Sequence, residues 1–192
     1  KDADYITAFV GSDNRNAGYV CGENLIEKKP DGGRIVIVES ASVNSVIERI
    51  TGFEEAISNA GFEVVQRIDA GGDMSAVKSA VAEIIQSGEQ IDAIMCGNDQ
   101  MAEQVLAALS EAGNSDPLVY SVDGSPVTKS ALMDPGSPME GIGAQSPINM
   151  GKTAVKVAAA VLNGTAFDRE TYEETFFINR DNVEMYGTDG WQ

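Results

Sequence analysis

Ile91-Asp92-Ala93-Ile94-Met95-Cys96-Gly97-Asn98, Leu118-Val119-Tyr120-Ser121-Val122-Asp123 and Met139-Glu140-Gly141-Ile142-Gly143-Ala144-Gln145 share one pattern. In each, an apolar run of strand length ends on a polar side chain, and a turn and a helix-like stretch follow. Strands and helices in this alternation build a mostly parallel sheet with helices on both faces. In open sheets of that kind a ligand sits in the crevice beyond the carboxyl ends of the strands. Asn98, Asp123 and Gln145 are therefore placed to converge on one small polar ligand. None of them is a strong nucleophile, and the chain contains no histidine. That combination points to binding rather than chemistry.

The alternation extends in both directions. Residues 5–10 read as a strand, 14–29 as a helix and 34–39 (Arg-Ile-Val-Ile-Val-Glu) as a strand rich in β-branched side chains. A helix is expected over 43–60 with Gly61 as its stop, then a strand over 62–68. In 73–87 the apolar residues Val77, Ala80, Val81, Ile84 and Ile85 fall at helical spacing. Helices follow over 99–112, ended by Gly113, and over 126–133. Ser146-Pro147 opens another, serine as N-cap and proline at the first helical position, running to about 162. A last strand is expected over 172–178, then a short polar tail. The predicted class is α/β, a doubly wound and mostly parallel sheet.

The chain has 192 residues, of which 43% are hydrophobic and twenty are glycine. That suits one or two globular domains with a real core. A net charge of −17 argues against nucleic acid or an anionic membrane as a direct partner, because both need a basic footprint. Cys21 and Cys96 have no metal-ligand spacing and read as small buried hydrophobes. The amino terminus, Lys1-Asp2-Ala3-Asp4, shows no signal-peptide core, as a mature extracellular protein would not.

Five motifs in order carry a resemblance: Ser12-Asp13-Asn14, Arg49-Ile50-Thr51-Gly52-Phe53, Cys96-Gly97-Asn98-Asp99-Gln100-Met101-Ala102, Val122-Asp123-Gly124-Ser125-Pro126 and Gln145-Ser146-Pro147. Together they resemble the ribose- and galactose-type periplasmic binding proteins, the solute receptors of ABC transporters. The resemblance implies a two-lobed fold that clamps its ligand between the lobes, here incomplete. Residues 1–12 would be a remnant of the first lobe and hinge, and 13–145 the carboxyl-terminal ligand-binding lobe. Residues 146–175 would belong to the first lobe, and 176–192 would be a return strand and tail. Most of a first lobe, roughly a hundred residues, would then lie outside this chain.

The same resemblance implies that Arg49, Asn98, Asp123 and Gln145 bind a sugar. An aspartate accepts from two hydroxyls, an arginine donates to two, and an amide does both. Each residue also has a local reading. Arg49 is within reach of Glu48 or Glu55. Asn98 is placed to cap the following helix, with Asp99 as the competing cap, so that one caps while the other binds; Asp99 is expected to act through the cap. Asp123 precedes Gly124 in a turn, and Gln145 suits a hinge residue bonded to backbone. Asp13 and Asn14 read as hinge turn and helix cap. The family places an aromatic ring after the third strand of this lobe, where the chain has Asp69-Ala70-Gly71-Gly72-Asp73; Asp69 or Asp73 would have to supply a hydrogen bond instead.

The implied function is the solute-binding component of an ABC importer for a sugar or sugar-like ligand. It would be extracytoplasmic, periplasmic or a cell-surface lipoprotein, with a permease as partner. An effector-sensing core of a lac-repressor-family regulator is the alternative, and it would need a DNA-binding headpiece. An enzyme is disfavoured, because no Ser-His pair, zinc site, P-loop or Rossmann glycine pattern is present. Asp13, Asp99 and Asp123 make only a weak case for magnesium, so no metal and no cofactor is expected. The 147–162 helix carries more apolar residues than one stripe needs, which predicts self-association through 146–175.

Overall fold

The computed structural model describes residues 4–191. Within them the chain runs β1 (Phe9–Ser12), α1 (Asn14–Lys28), β2 (Gly33–Glu39), α2 (Asn44–Ile57), β3 (Phe62–Asp69), α3 (Met74–Ser87), β4 (Ala93–Cys96), α4 (Asp99–Ala112), β5 (Leu118–Asp123), α5 (Pro126–Met133), β6 (Met139–Ala144), α6 (Pro147–Asn163), β7 (Glu170–Glu173), β8 (Phe176–Asn179) and α7 (Val183–Tyr186). Six strands form one sheet in the order β3-β2-β4-β5-β6-β8. All its pairings are parallel except β6 with β8. β1 and β7 form a separate parallel pair. This is the α/β, mostly parallel architecture expected.

The β2 run explains why the sheet is covered on both faces. Ile35, Val36, Ile37 and Val38 are all fully buried. Successive side chains in a strand point to opposite faces. Val36 and Val38 join α3 and α4 through Val77, Val81, Val105 and Leu109. Ile35 and Ile37 join α1 and α2 through Cys21, Leu25, Ile50 and Phe53. The two cysteines are free and buried, one in each of these clusters. Burial pushes the Cys21 thiol up to about 12 and raises Cys96 further.

Two expectations at the chain ends need correction. The first strand is not 5–10 but Phe9–Ser12, and Tyr5 is exposed in a turn. Its span is set by pairing with Glu170–Glu173, which no local pattern announces. The stretch 172–178 is not one strand. It breaks at Glu174-Thr175, and the halves enter different sheets. The Thr175 hydroxyl donates to the Asp13 carbonyl and accepts from Asn16 Nδ2, at 3.2 and 3.0 Å. The break is therefore made by hydrogen bonding to the start of α1, without the glycine or proline that would mark it. Beyond it, Phe176–Asn179 pairs antiparallel with β6 and buries Ile178.

α6 differs from every other long helix here: none of its residues is buried, and Val155 and Leu162 are 71% and 86% exposed. It rests on the β1–β7 pair, where Ser12 Oγ meets Met150 Sδ at 3.2 Å and Thr153 Oγ1 donates to Glu173 Oε1 at 2.5 Å. No described helix is long and apolar enough to cross a membrane.

What positions the candidate site is the approach of α1 to α2. A Cβ on Gly18 would lie 1.7 Å from the Arg49 carbonyl oxygen, and one on Gly52 would lie 1.9 Å from that of Arg15. Both obstacles are backbone, so neither can swing aside. Gly18→Ala and Gly52→Ala should each force the helices apart and cost at least about 1–3 kcal/mol, as overpacking does. Urea denaturation measures this, and an unchanged midpoint in either variant would show that the contact is not tight.

Candidate functional site

At the carboxyl edge of the six-stranded sheet the polar residues gather. Val46, Ile50, Phe53 and Ile57 form the buried stripe of α2, and Arg49 lies on the same stripe, 6% exposed. A cation there must be matched by acceptors, because burying an unpaired charge is very costly. Arg49 Nη1 donates to the Gly97 carbonyl at 2.9 Å and lies 3.0 Å from Asp123 Oδ1. Arg49 Nε donates to Asn14 Oδ1 at 3.0 Å, and Asn14 Nδ2 donates to Glu48 Oε2 at 3.2 Å. Arg49 Nη2 has no hydrogen bond among the described residues and keeps contact with solvent.

Asp123 ends β5. It is the one non-glycine residue among those described with positive φ, at 137°, a region that L residues rarely adopt. Gln145 Nε2 donates to its Oδ1 at 2.5 Å, and the Gln145 backbone N–H donates to its carbonyl at 3.0 Å. Burial pushes the Asp123 carboxyl up to about 6; the Arg49 cation opposes this and the nearby Asp99 reinforces it. Asn98 joins through its neighbour Gly97, whose carbonyl Arg49 holds. Asn98 Oδ1 accepts from the Met101 N–H at 2.9 Å and so caps α4, while its Nδ2 makes no hydrogen bond among the described residues.

The structure thus brings Arg49, Asp123 and Gln145 into direct contact and sets Asn98 beside them, all past the carboxyl ends of β4, β5 and β6. The division of labour between Asn98 and Asp99 needs correction. Asn98 is the cap, and its amide nitrogen is left over. Asp99 is no cap: it is 2% exposed, and its carboxylate accepts from Ser121 Oγ (2.6 Å), the Gly124 N–H (3.1 Å), the Ser125 N–H (2.6 Å) and Thr128 Oγ1 (2.7 Å). Asn14 was also expected only at the head of α1. Its contact with Arg49 follows from the glycine contacts between α1 and α2, which are the signal in the sequence.

Neighbouring carboxylates are committed locally. Asp13 Oδ1 caps α1 through the Asn16 N–H at 3.0 Å. Asp69 Oδ1 accepts from the Gly71 N–H at 2.9 Å, and Asp73 Oδ1 from the Ser75 N–H at 3.0 Å. Gly71 and Gly72 both have positive φ, and nothing lies within 4 Å of a Cβ placed on either, so this loop is open where a ring was expected by resemblance. Among the described residues no group of three His, Cys, Asp or Glu gathers as a metal site. A cavity of about 450 Å³ lined by Leu106, Leu109, Ala131 and Pro138 lies elsewhere, between α4, α5 and the amino-terminal end of β6. The polar cluster of Arg49, Asn98, Asp123 and Gln145 does not line this cavity.

The chain matches the family model of the periplasmic binding protein domain over residues 1–166, and it belongs to that family. Among curated relatives it is 28% identical over 160 residues to the ribose import binding protein of Salmonella typhimurium, covering 83% of this chain and 53% of that protein. It is 31% identical over 156 residues to the D-allose-binding periplasmic protein of Escherichia coli K12, covering 79% and 50%. A solved ABC transporter solute binding protein from Bacillus halodurans C-125, with bound myo-inositol, superimposes with a TM-score of 0.85 at 30% identity, over 94% of this chain and 63% of that one. One from Actinobacillus succinogenes 130z, with bound D-allose, gives 0.86 at 23% identity and speaks to the fold alone. The chain spans about half the length of the curated relatives it matches. These relatives are binding proteins, not enzymes.

The Asp123 carboxyl gives a test of the site's electrostatics. Its folded value lies above the free-carboxylate value of 3.8, so its contribution to stability is full below about pH 4 and is lost as pH rises through about 6. Carbon-13 NMR of the carboxyl should show a midpoint of about 6. Asp123→Asn should remove this group's share of the stability loss between pH 4 and 6. A midpoint at 3.8 would mean that the carboxylate is solvated and unconfined.

Proposed function

We propose that the chain carries one wall of a sugar-binding site in an extracytoplasmic receptor of an ABC importer. The observation that carries this is what the cluster leaves unused. Arg49 Nη2 and Asn98 Nδ2 are donors without partners and Gln145 Oε1 is an acceptor without a partner among the described residues, grouped around the Asp123 carboxylate. A polyol hydroxyl both donates and accepts, so an interleaved set of this kind matches a ring of hydroxyls. The family and the ligands named for its relatives support the reading, D-allose and myo-inositol among them. So do the absence of histidine and the net charge of −17, which suits neither nucleic acid nor an anionic surface.

On this reading 13–145 is the carboxyl-terminal lobe, 1–12 is a remnant of the first lobe and hinge, 146–175 belongs to the first lobe, and 176–192 is a return strand and tail. The ligand is enclosed when the lobes close, and a permease is the membrane partner. The receptor is periplasmic or a cell-surface lipoprotein. The bare apolar side of α6 supports the division. It also supports self-association of the isolated 192-residue chain through 146–175.

Calorimetric titration of the two-lobed protein with D-ribose, D-allose and myo-inositol tests the function. At least one should bind, and Asp123→Ala should weaken it by about 2–5 kcal/mol, because a buried charged partner is removed. Binding unaffected by Asp123→Ala, or no binding of any of the three, would reject the site. The 192-residue chain alone should bind only at about the millimolar level or weaker, since one open wall cannot exclude water. Micromolar binding by that chain, sedimenting as a monomer, would show it to be self-sufficient.

A further inference from the structure

Asp99 follows the α4 cap and is nearly fully buried, yet its carboxylate points away from its own helix into the β5–α5 loop. Four donors reach it: two hydroxyls, Ser121 and Thr128, and two successive backbone N–H groups, Gly124 and Ser125. Ser121 donates to Oδ1, while Gly124, Ser125 and Thr128 all donate to Oδ2, so the carboxylate is committed to the chain itself and, at 2% exposure, is closed to a ligand. Its hydrogen bonds reach the site through the loop, beside the direct effect of its charge and backbone N–H on the Asp123 carboxyl.

The loop it grips holds the strained residue. Asp123 stands at φ 137°, immediately before the two N–H groups that Asp99 binds. A conformation of this kind costs on the order of 1–3 kcal/mol and persists only where its surroundings over-determine it. The surroundings here are two. On one side the Gln145 N–H holds the Asp123 carbonyl, and on the other Asp99 holds the next two amides. In this conformation the Asp123 carboxylate meets Arg49 and Gln145.

We propose that Asp99 is the positioning residue of this site: its buried carboxylate locks the 123–125 backbone so that Asp123 is held in its strained conformation, facing Arg49. This rests on the reading of Asp123 as a ligand-binding group. It also reverses the expectation that Asp99 acts only on the stability of α4. Ser121 at Oδ1 and Thr128 at Oδ2 serve the same end by fixing the orientation of the carboxylate.

The test is Asp99→Asn in the two-lobed protein, with Asp92→Asn as control. Asp92 is a carboxylate before β4 that accepts from the Arg34 N–H at 2.8 Å and from Lys29 Nζ at 3.0 Å, away from the site. Both variants lose a structural carboxylate, but only the first touches the loop. In Asp99→Asn the Gly124 and Ser125 amides should exchange about tenfold faster or more, with β2 amides unchanged. Its crystal structure should show Asp123 relaxed to negative φ. Affinity for whichever of D-ribose, D-allose or myo-inositol binds the parent should fall about 10–100-fold, as it does when a supporting partner of a binding group is removed.

Asp123 remaining at positive φ with both amides protected would overturn the proposal, and so would an equal loss of affinity in Asp92→Asn at matched melting temperature. If Asp99→Asn does not fold, Ser121→Ala decides, since it removes one donor while keeping the carboxylate. Faster exchange at Gly124 and Ser125 supports the lock, and unchanged exchange overturns it. If the parent binds none of the sugars the proposed function fails, while exchange and backbone conformation still decide the role of Asp99.

Discussion

A guanidinium is buried at the carboxyl edge of the sheet, and the surrounding elements are arranged to tolerate it. Arg49 is held on the core stripe of α2 by its apolar neighbours, so its charge cannot leave for water. The acceptors it needs come from three separate parts of the chain: Asn14 at the head of α1, the Gly97 carbonyl after β4, and Asp123 at the end of β5. Each of those contacts fixes one element relative to α2. Such pairs are poor sources of net stability, because desolvation offsets most of the attraction. Their effect here is geometric. They fix the guanidinium and the Asp123 carboxylate relative to each other and leave Arg49 Nη2 without a hydrogen bond among the described residues.

Behind that arrangement is a contact with no side chain in it. Gly18 and Gly52 let the backbones of α1 and α2 touch, and only then does Asn14 come within reach of Arg49. On the other flank Asp99 and Gln145 fasten the β5–α5 loop from both sides of Asp123. The side chains of this cluster are therefore held in fixed directions by their neighbours, which leaves them little rotamer freedom.

The strand ends were legible in sequence because an apolar run that stops on a polar residue has one physical meaning in an alternating chain. Arg49 was legible only by resemblance, though its spacing from Val46, Ile50 and Phe53 already placed it on the core side of a helix. Asn98 and Asp99 were not separable, since both residue types cap helices. Which one caps depends on whether a neighbouring loop offers donors to the other, and that loop is 25 residues away in sequence. The break within 172–178 was invisible for a related reason. No glycine or proline interrupts it and strand-forming Tyr172, Thr175, Phe176, Phe177 and Ile178 stand on both sides of the break, so the two halves part only because β1 and β6 claim them separately.

The two thiols have a use of a different kind. Cys21 and Cys96 are fully buried, and burial raises both well above neutrality, so neither is a thiolate under ordinary conditions. They lie on opposite sides of the sheet: Cys21 belongs to α1 and is packed in the α1–α2 layer, and Cys96 ends β4 beneath α3 and α4. A thiol-directed reagent can therefore reach each sulfur only when the layer above it lifts. Labelling rates at the two positions become clocks for the opening of either side, supplied by the natural sequence. Their ratio distinguishes a chain that peels from one face first from a chain that opens as a unit.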